Sequence, residues 1–548
     1  MKYKNILNKL KSLISGEKRK SPGSLSGEKY DYNNLNLEDL PAQYQQKNIS
    51  KSLNKNLNYI KNAYGNSLDL NIKKFELDQK NNQCALVFLG KMAEDNSVQD
   101  IIEDFEIKIV EYEQQNYLKK ENNLNTAERF LKNKEKKKLN NFKEVFSNIS
   151  QGNAAFFMEG TPVAIACETR KLELREIQEP QSEIALRGAR DGFLEELSIN
   201  CSLLRKRIRV PQLWFEEIEI GTLSKTRVAV GYIKSLASDE LVKEVISRLE
   251  KIDIDSLQES GVLEEYIRDN HWTIFPLMES TERPDKAVSC LAEGKVVVIT
   301  DHTPFVLIMP TTYNSLLQAP DDYSTPFIIS SFVRLLRHGG FLISVFLPAF
   351  YVAIINFHPE LIPVTLLLRI SATREGVPFP VLIESLLMES IFEILREAGL
   401  RMPRAIGSAI SIVGALVLGD AAISAGLVSP PMVIIVALTA IASFTTPNYP
   451  LATSARLLRY IFIIMAGVAG LFGLQFGLLV LLIHLCSLRS FGQPFFQPFG
   501  PLVLRDLKDS IIKFPQWLNI LRPQLIGGNN PQRQKKNQKP EPEKKEEK

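Results

Sequence analysis

"HGGFLISVFLPAFYVAIINFHP", residues 338–359, contains no Asp, Glu, Lys or Arg and is long enough to cross a lipid bilayer once. Three related stretches follow it. Residues 405–428 carry Asp420 as their single charge, a shorter run at about 432–446 lies between proline-rich breaks, and 460–488 is uncharged throughout. Together they predict an all-α, multi-span membrane domain over 331–490. A buried hairpin of a large soluble protein is the competing reading, and it does not account for several uncharged stretches longer than about 18 residues.

Between the first and second of these stretches lies "PFPVLIESLLMESIFEILREAG", residues 378–399. On a helical wheel Glu389, Glu393, Arg396 and Glu397 share one side, whereas Leu387, Met388, Ile391 and Leu395 form the other. Glu384 falls among the apolar side chains, where a carboxylate is costly unless wetted, paired or protonated. One expectation is a helix at the membrane interface, with Glu384 near its N-terminal turn reaching water. The other has Glu384 facing an aqueous conduit or a neighbouring subunit, since ionisable groups inside a membrane by default mark pathways. Asp420 is a second candidate of the same kind. Gly399, followed by Pro403, is the expected C-terminal cap.

Glycines suggest where helices crowd together. Gly414 and Gly419 lie in "GALVLGDAAISAG", and Gly473 and Gly477 are spaced by four residues, so both pairs are candidate helix-packing positions. Arg334 and Arg337 precede the first span and place the N-terminal region on the cytosolic side. The number of spans stays open, because "LIPVTLLL" (361–368) with the following helix could add a crossing or a re-entrant pair.

Upstream the chain is different. Residues 1–47 are a polar leader, 48–150 a first cytosolic α/β subdomain with a Lys/Asn-rich insertion around 113–143, and 151–330 a second. A membrane-proximal segment (491–526) and a disordered charged tail (527–548) complete the expected order. The segments "NAAFFMEGTPVAIACET" (153–169) and "GKVVVITDHTPFVLIMPT" (294–311) share an apolar run, a polar turn with Thr-Pro and a second apolar run, which reads as a hairpin in each of two related units. Helices alternating with strands point to α/β or α+β organisation.

Chemistry is sparse. The five cysteines are scattered without a CxxC pair, the five histidines are dispersed, and "RGARDG" lacks the order of a phosphate-binding loop. No catalytic, cofactor-binding or metal residues are therefore expected. A net charge of +4 over 548 residues, with basic runs free of interleaved aromatics, argues against nucleic acid as a partner.

Three long blocks carry a family resemblance: "REIQEPQSEIALRGARDGFLEELSINCSLLRKRI", "FPLMESTERPDKAVSCLAEGKVVVITDHTPFVLIMPTTYNSLLQAPDDY" and "REGVPFPVLIESLLMESIFEILREAGLRMPRAIGSAISIVGALVLGDAAISAGLVSP". In order and spacing, from about 48 to 499, the chain resembles the A subunits of spore germinant receptors, the GerA-type family. The resemblance implies a protein of the spore inner membrane with a cytosolic N-terminal region. It further implies a homo-oligomer that conducts ions and works with a transporter-like B subunit and a lipoprotein C subunit, embedded in membrane lipid. A non-conducting scaffold, or the stage V sporulation relative of the family, is the alternative. The family's membrane signature covers Arg374, Glu384, Glu389, Glu393, Arg396 and Asp420, the candidate pore or intersubunit residues.

Overall fold

The computed structural model describes residues 47–401 and 421–539, apart from 66, 77–82, 95, 102, 104–135, 170–178, 181–182, 184–186, 525, 527–529 and 537. The leader, most of the insertion, most of the 405–428 span and the end of the tail thus lie outside the described residues.

The first unit comprises α1 (Leu53–Tyr64), β1 (Leu70–Glu76), β2 (Gln83–Leu89), β3 (Lys136–Leu139), α2 (Phe142–Ser150), β4 (Ala154–Met158) and β5 (Ala164–Cys167). In α1, Leu53, Leu57, Ile60 and Tyr64 recur every three or four residues and are buried, and Gly65 closes the helix in a left-handed conformation, φ 61°. α2 begins with reciprocal capping: Glu144 N donates to Asn141 Oδ1 at 2.9 Å, while Asn140 N donates to Glu144 Oε2 at 2.8 Å. Its buried stripe is Phe142, Val145, Phe146 and Ile149. The strands pair in the order β1-β2-β4-β5-β3, every pair antiparallel.

The second unit repeats this plan. It contains α3 (Leu197–Arg207), β6 (Leu213–Ile220), β7 (Thr226–Ile233), α4 (Asp239–Glu250), α5 (Ser260–Ile267), β8 (Glu279–Thr281), α6 (Pro284–Glu293), β9 (Val296–Thr300) and β10 (Val306–Met309). Its order, β6-β7-β9-β10-β8, places first, second, fourth, fifth and third strands as in the first sheet, again all antiparallel. The two hairpins read from the sequence are β4–β5 and β9–β10. One expectation needs correction. A boundary at 150 would cut the first sheet, because β4 and β5 fill the positions between β2 and β3; the first unit closes after Cys167. The organisation is α+β, since hairpins return each strand antiparallel to its neighbour.

One buried ion pair joins the units. Arg205 on α3 donates through Nε to Asp69 Oδ2 at 2.7 Å and through Nη2 to Asp69 Oδ1 at 3.0 Å and Ser67 Oγ at 3.1 Å. Its guanidinium also lies over the Tyr64 and Phe215 rings, 5.3 and 5.2 Å from their centroids. Beside it, the Trp214 ring occupies the space where a side chain at Gly65 would be.

Between residues 327 and 487 the described chain is mostly helical: α7 (Phe327–Phe357), α8 (Val364–Arg374), α9 (Val381–Arg401), α10 (Pro430–Ser443) and α11 (Tyr449–Ser487). Two of these, α7 and α11, are long and apolar enough to cross a membrane. α9 starts after Pro380 and runs through Gly399 to Arg401, so Gly399 is an interior residue and not the expected cap. α11 is not one rod. Gly470, at φ 60° and ψ −141°, breaks it, and the chain doubles back: a Cβ at Gly473 would lie 2.2 Å from Met465 O, and one at Gly477 2.8 Å from the Phe462 ring. The uncharged run 460–488 is therefore a helical hairpin. Gly473 and Gly477 do permit close packing, against the preceding arm of the same helix.

The directions of the helices follow from their contacts. Arg459 on the first arm of α11 reaches Ser344 on α7, Phe346 stacks edge-on against Phe462 at 4.6 Å, and Phe357 abuts Gly470, so these two run in parallel. α9 runs opposite to them, with Leu382 against Gly467 and Glu393 near Arg456. Near the α+β half, Ser454 Oγ donates to Ile274 O, and Thr273 Oγ1 lies 3.0 Å from His484 Nε2. After α11 the chain returns to that half: Tyr313 N donates to Phe495 O at 2.8 Å and Arg522 Nε to Ala292 O at 2.7 Å. Gln532, expected in the charged tail, pairs with Leu521.

Candidate functional site: a column of buried ion pairs

The buried positions of α9 are Val381, Glu384, Ser385, Met388 and Glu389. This is the i, i+3, i+4, i+7, i+8 stripe of a packed helix, filled mostly by polar residues. Ile383, Leu387 and Ile394 are exposed instead, Ile394 by 68%. The apolar side drawn from the sequence is therefore split, Leu387 exposed and Met388 buried, and α9 is inverted relative to the helices of the α+β half in that it packs carboxylates inward and leaves Ile383, Leu387 and Ile394 outward.

Glu384 is wholly buried, and each of its oxygens is used. Oε2 accepts from Arg374 Nη1 at 2.6 Å; Oε1 accepts from Ser429 N at 2.7 Å and Ser429 Oγ at 2.6 Å. Ser429 is the N-cap of α10, and prolines occupy the first two helical positions, 430 and 431. The carboxylate thus sits at the positive end of α10 and ties together the end of α8, the start of α9 and the start of α10. Expected at an interface, a conduit or a neighbouring subunit, it faces its own chain.

Five residues along α9, Glu389 Oε2 accepts from Arg459 Nη1 at 2.5 Å, and Arg459 Nε donates to Ser344 O at 2.7 Å. Both side chains are at most 2% exposed. Among the described residues, Glu389 Oε1 and Arg459 Nη2 have no hydrogen-bond partner. One turn further, Glu393 pairs with Arg396 and lies 3.4 Å from Arg456 Nη1, and its Oε1 is likewise unpartnered. The structure therefore brings Arg374, Glu384, Glu389, Glu393 and Arg396 into one column, whereas Asp420, Gly414 and Gly419 lie outside the described residues.

A fourth cluster closes the column where the helices join the α+β half. Asp322 accepts from Arg334 Nε at 2.9 Å and Arg337 Nη1 at 3.0 Å; Arg334 Nη1 also donates to Asp509 Oδ1 at 2.7 Å. Burial pushes the Asp322 carboxyl up, but hydrogen bonding and charge from Arg337 and Arg334 outweigh it and hold the group below its ordinary value. Lys513 donates to Asp322 O, so the C-terminal segment, the first helix and the second unit meet here.

Arg456 and Arg459 stand in the sequence just before the uncharged run 460–488. Their partnership was legible in principle: acids four apart on α9 face arginines three apart on α11, one helical turn in each case. Ser429 and Asp509 offered no such signal, because their contacts come from sequence-distant segments. Among the described residues, no group of three or more His, Cys, Asp or Glu side chains could hold a metal ion.

The Bacillus/Clostridium GerA spore germination protein family matches residues 58–525. Spore germination protein KA of Bacillus subtilis (strain 168) is 43% identical over 500 residues, 90% of this chain and 90% of that protein. Spore germination protein B1 of the same organism is 36% identical, covering 87% of this chain and 97% of its own length. Among solved structures, the N-terminal domain of the A subunit of the Bacillus megaterium spore germinant receptor GerK3 is 29% identical, covering 49% of this chain and 98% of that one, with a TM-score of 0.39.

Proposed function

The chain belongs to the Bacillus/Clostridium GerA spore germination protein family, and on that premise we propose that it is the A subunit of a nutrient germinant receptor in the spore inner membrane. In this reading it is a multi-pass protein with its N-terminal region in the cytosol. It forms a homo-oligomer that works with a transporter-like B subunit and a lipoprotein C subunit, and the assembly passes ions when nutrient shifts it from closed to open. The observation that supports membrane embedding best is the inverted helix α9, with carboxylates inside and Ile383, Leu387 and Ile394 outside. Lipid accepts such a surface, and water does not.

The ion pairs at Glu384 and Glu389 serve this function as hinges and ties between helices. Asp420 is the residue proposed to face the conduit. Reconstitution of the purified oligomer into liposomes with ion-flux recording tests conduction directly. Asp420→Asn is expected to change conductance or ion preference with assembly intact; unchanged currents remove that role. A non-conducting transducer is the second reading, favoured by the engagement of both Glu384 oxygens within the chain. No flux through a well-assembled oligomer would select it.

A further inference from the structure

The α+β half meets the helices through the loop that follows α5, and this loop is firmly held. Arg268 Nη2 donates to Thr273 O at 2.9 Å and Phe275 O at 3.3 Å, and Trp272 N donates to Asn270 Oδ1 at 2.9 Å. Thr273 and Ile274 are tied to His484 and Ser454 of α11. Within this fixed frame the Trp272 side chain is 96% exposed. Tyr266 and Ile274, exposed by 54% and 38%, flank it in the chain, so the end of α5 and the loop after it carry a run of uncovered apolar side chains and not a single one.

The helices set the height of this residue. Ser454 and His484 are 16 and 14 residues from the hairpin tip at Gly470, about 24 and 21 Å of helix, against a hydrocarbon thickness of ~30 Å. Tyr449, 58% exposed, stands 21 residues from the tip, or about 31 Å. Leu479 and Ile483, exposed by 56% and 62%, continue the apolar surface of α11 down to this level. An indole has an apolar body and one N–H donor, the combination that favours the boundary between hydrocarbon and headgroups.

We propose that Trp272 is an interfacial anchor, inserted at the headgroup boundary of the near leaflet so that the α+β half is seated on the bilayer surface. The proposal rests on the membrane reading above. Its purpose in the fold is to fix the angle between the sheets and the helices through the Thr273–His484 and Ile274–Ser454 contacts.

The test uses the full chain in vesicles with Trp272 as the sole tryptophan, through Trp214→Phe and Trp517→Phe. Lipids brominated close to the headgroup are expected to lower its emission about two-fold relative to unbrominated lipid, and lipids brominated near the tail end to lower it less. Protein retained through an alkaline wash with Trp272 unquenched would overturn the anchor while leaving the membrane reading intact; release in the wash would remove the membrane reading itself. Blue-shifted but unquenched emission would mean that protein covers the ring, which also overturns the anchor. A protein retaining only Trp214 is expected to be unquenched, and equal quenching there would overturn the assignment. Should Trp214→Phe prevent folding, Trp272→Phe added to the Trp517→Phe chain is expected to abolish the shallow-bromine component, and its persistence would contradict the proposal.

Discussion

Two buried arginine–carboxylate pairs divide the molecule. In the α+β half, Arg205 binds both oxygens of Asp69, the Ser67 hydroxyl and two aromatic faces. In the helical half, Arg459 and Glu389 share one direct hydrogen bond and, among the described residues, leave one nitrogen and one oxygen unpartnered. The first pair is a finished joint between two rigid units. The second is an under-satisfied contact between three helices, the type of element that can rearrange when an assembly changes state. Buried charge alone does not distinguish a staple from a moving part; the completeness of its bonding does.

The comparison can be strained at several points. Arg205→Ala removes the staple and leaves Asp69 without its charge partner, so about 3–5 kcal/mol of stability is expected to be lost, read as an earlier denaturation of the α+β half. Glu389→Gln in the helical half is expected to cost less, about 2–3 kcal/mol, because Oε1 makes no bond to begin with and Ser344 O still accepts from Arg459. A double variant with Met at 389 and 459 should recover most of that loss in a thermal melt while changing activation. Failure to recover would show that the pair is a staple after all. Gly470→Ala forces a side chain into a backbone conformation open mainly to glycine and against Phe357, with about 1–3 kcal/mol expected, visible as loss of the hairpin in protease protection.

The smallest effect is one of pH. The folded Asp322 carboxyl titrates below its unfolded value. Its contribution is therefore fully present above about pH 4, the ordinary carboxylate range, and is lost as pH falls through the lower folded value. The contribution of Asp322 to the junction between the halves should be flat from pH 7 to 5 and decline only in stronger acid. A decline already at pH 6 would point to a different group.

Legibility in the sequence divided along the same line. The α+β half was readable because its helices place apolar residues inward: the α1 stripe and the cap at Gly65 follow from spacing alone, and the repeated Thr-Pro hairpins revealed the duplication. Strand order and the true boundary after Cys167 were not readable, since they depend on which hairpin inserts between which strands. In the helical half the same rule misleads. Wheel analysis of α9 selects Leu387 and Met388 as its apolar side; Met388 is buried but Leu387 is 37% exposed, while Glu384 and Glu389 are fully buried. On the proposed membrane reading lipid is the solvent there and apolar residues no longer identify the packed face, and the partners of the acids lie 10, 45 and 70 residues away. Gly470 was visible as a glycine, but nothing around it in the sequence marks a reversal within an unbroken apolar run.

The central claim is that the helices begin and end on the side of the α+β half, with the turn after α7 on the other. Single cysteines in a Cys486→Ser background test it, using a membrane-impermeant maleimide on sealed vesicles of known orientation. Leu223→Cys and Leu504→Cys, at positions exposed by 80% and 73%, are expected to label from the same side, and Leu361→Cys, 60% exposed, only from the opposite side. Labelling of 223 and 504 from opposite sides, or of all three from one side, would contradict the account.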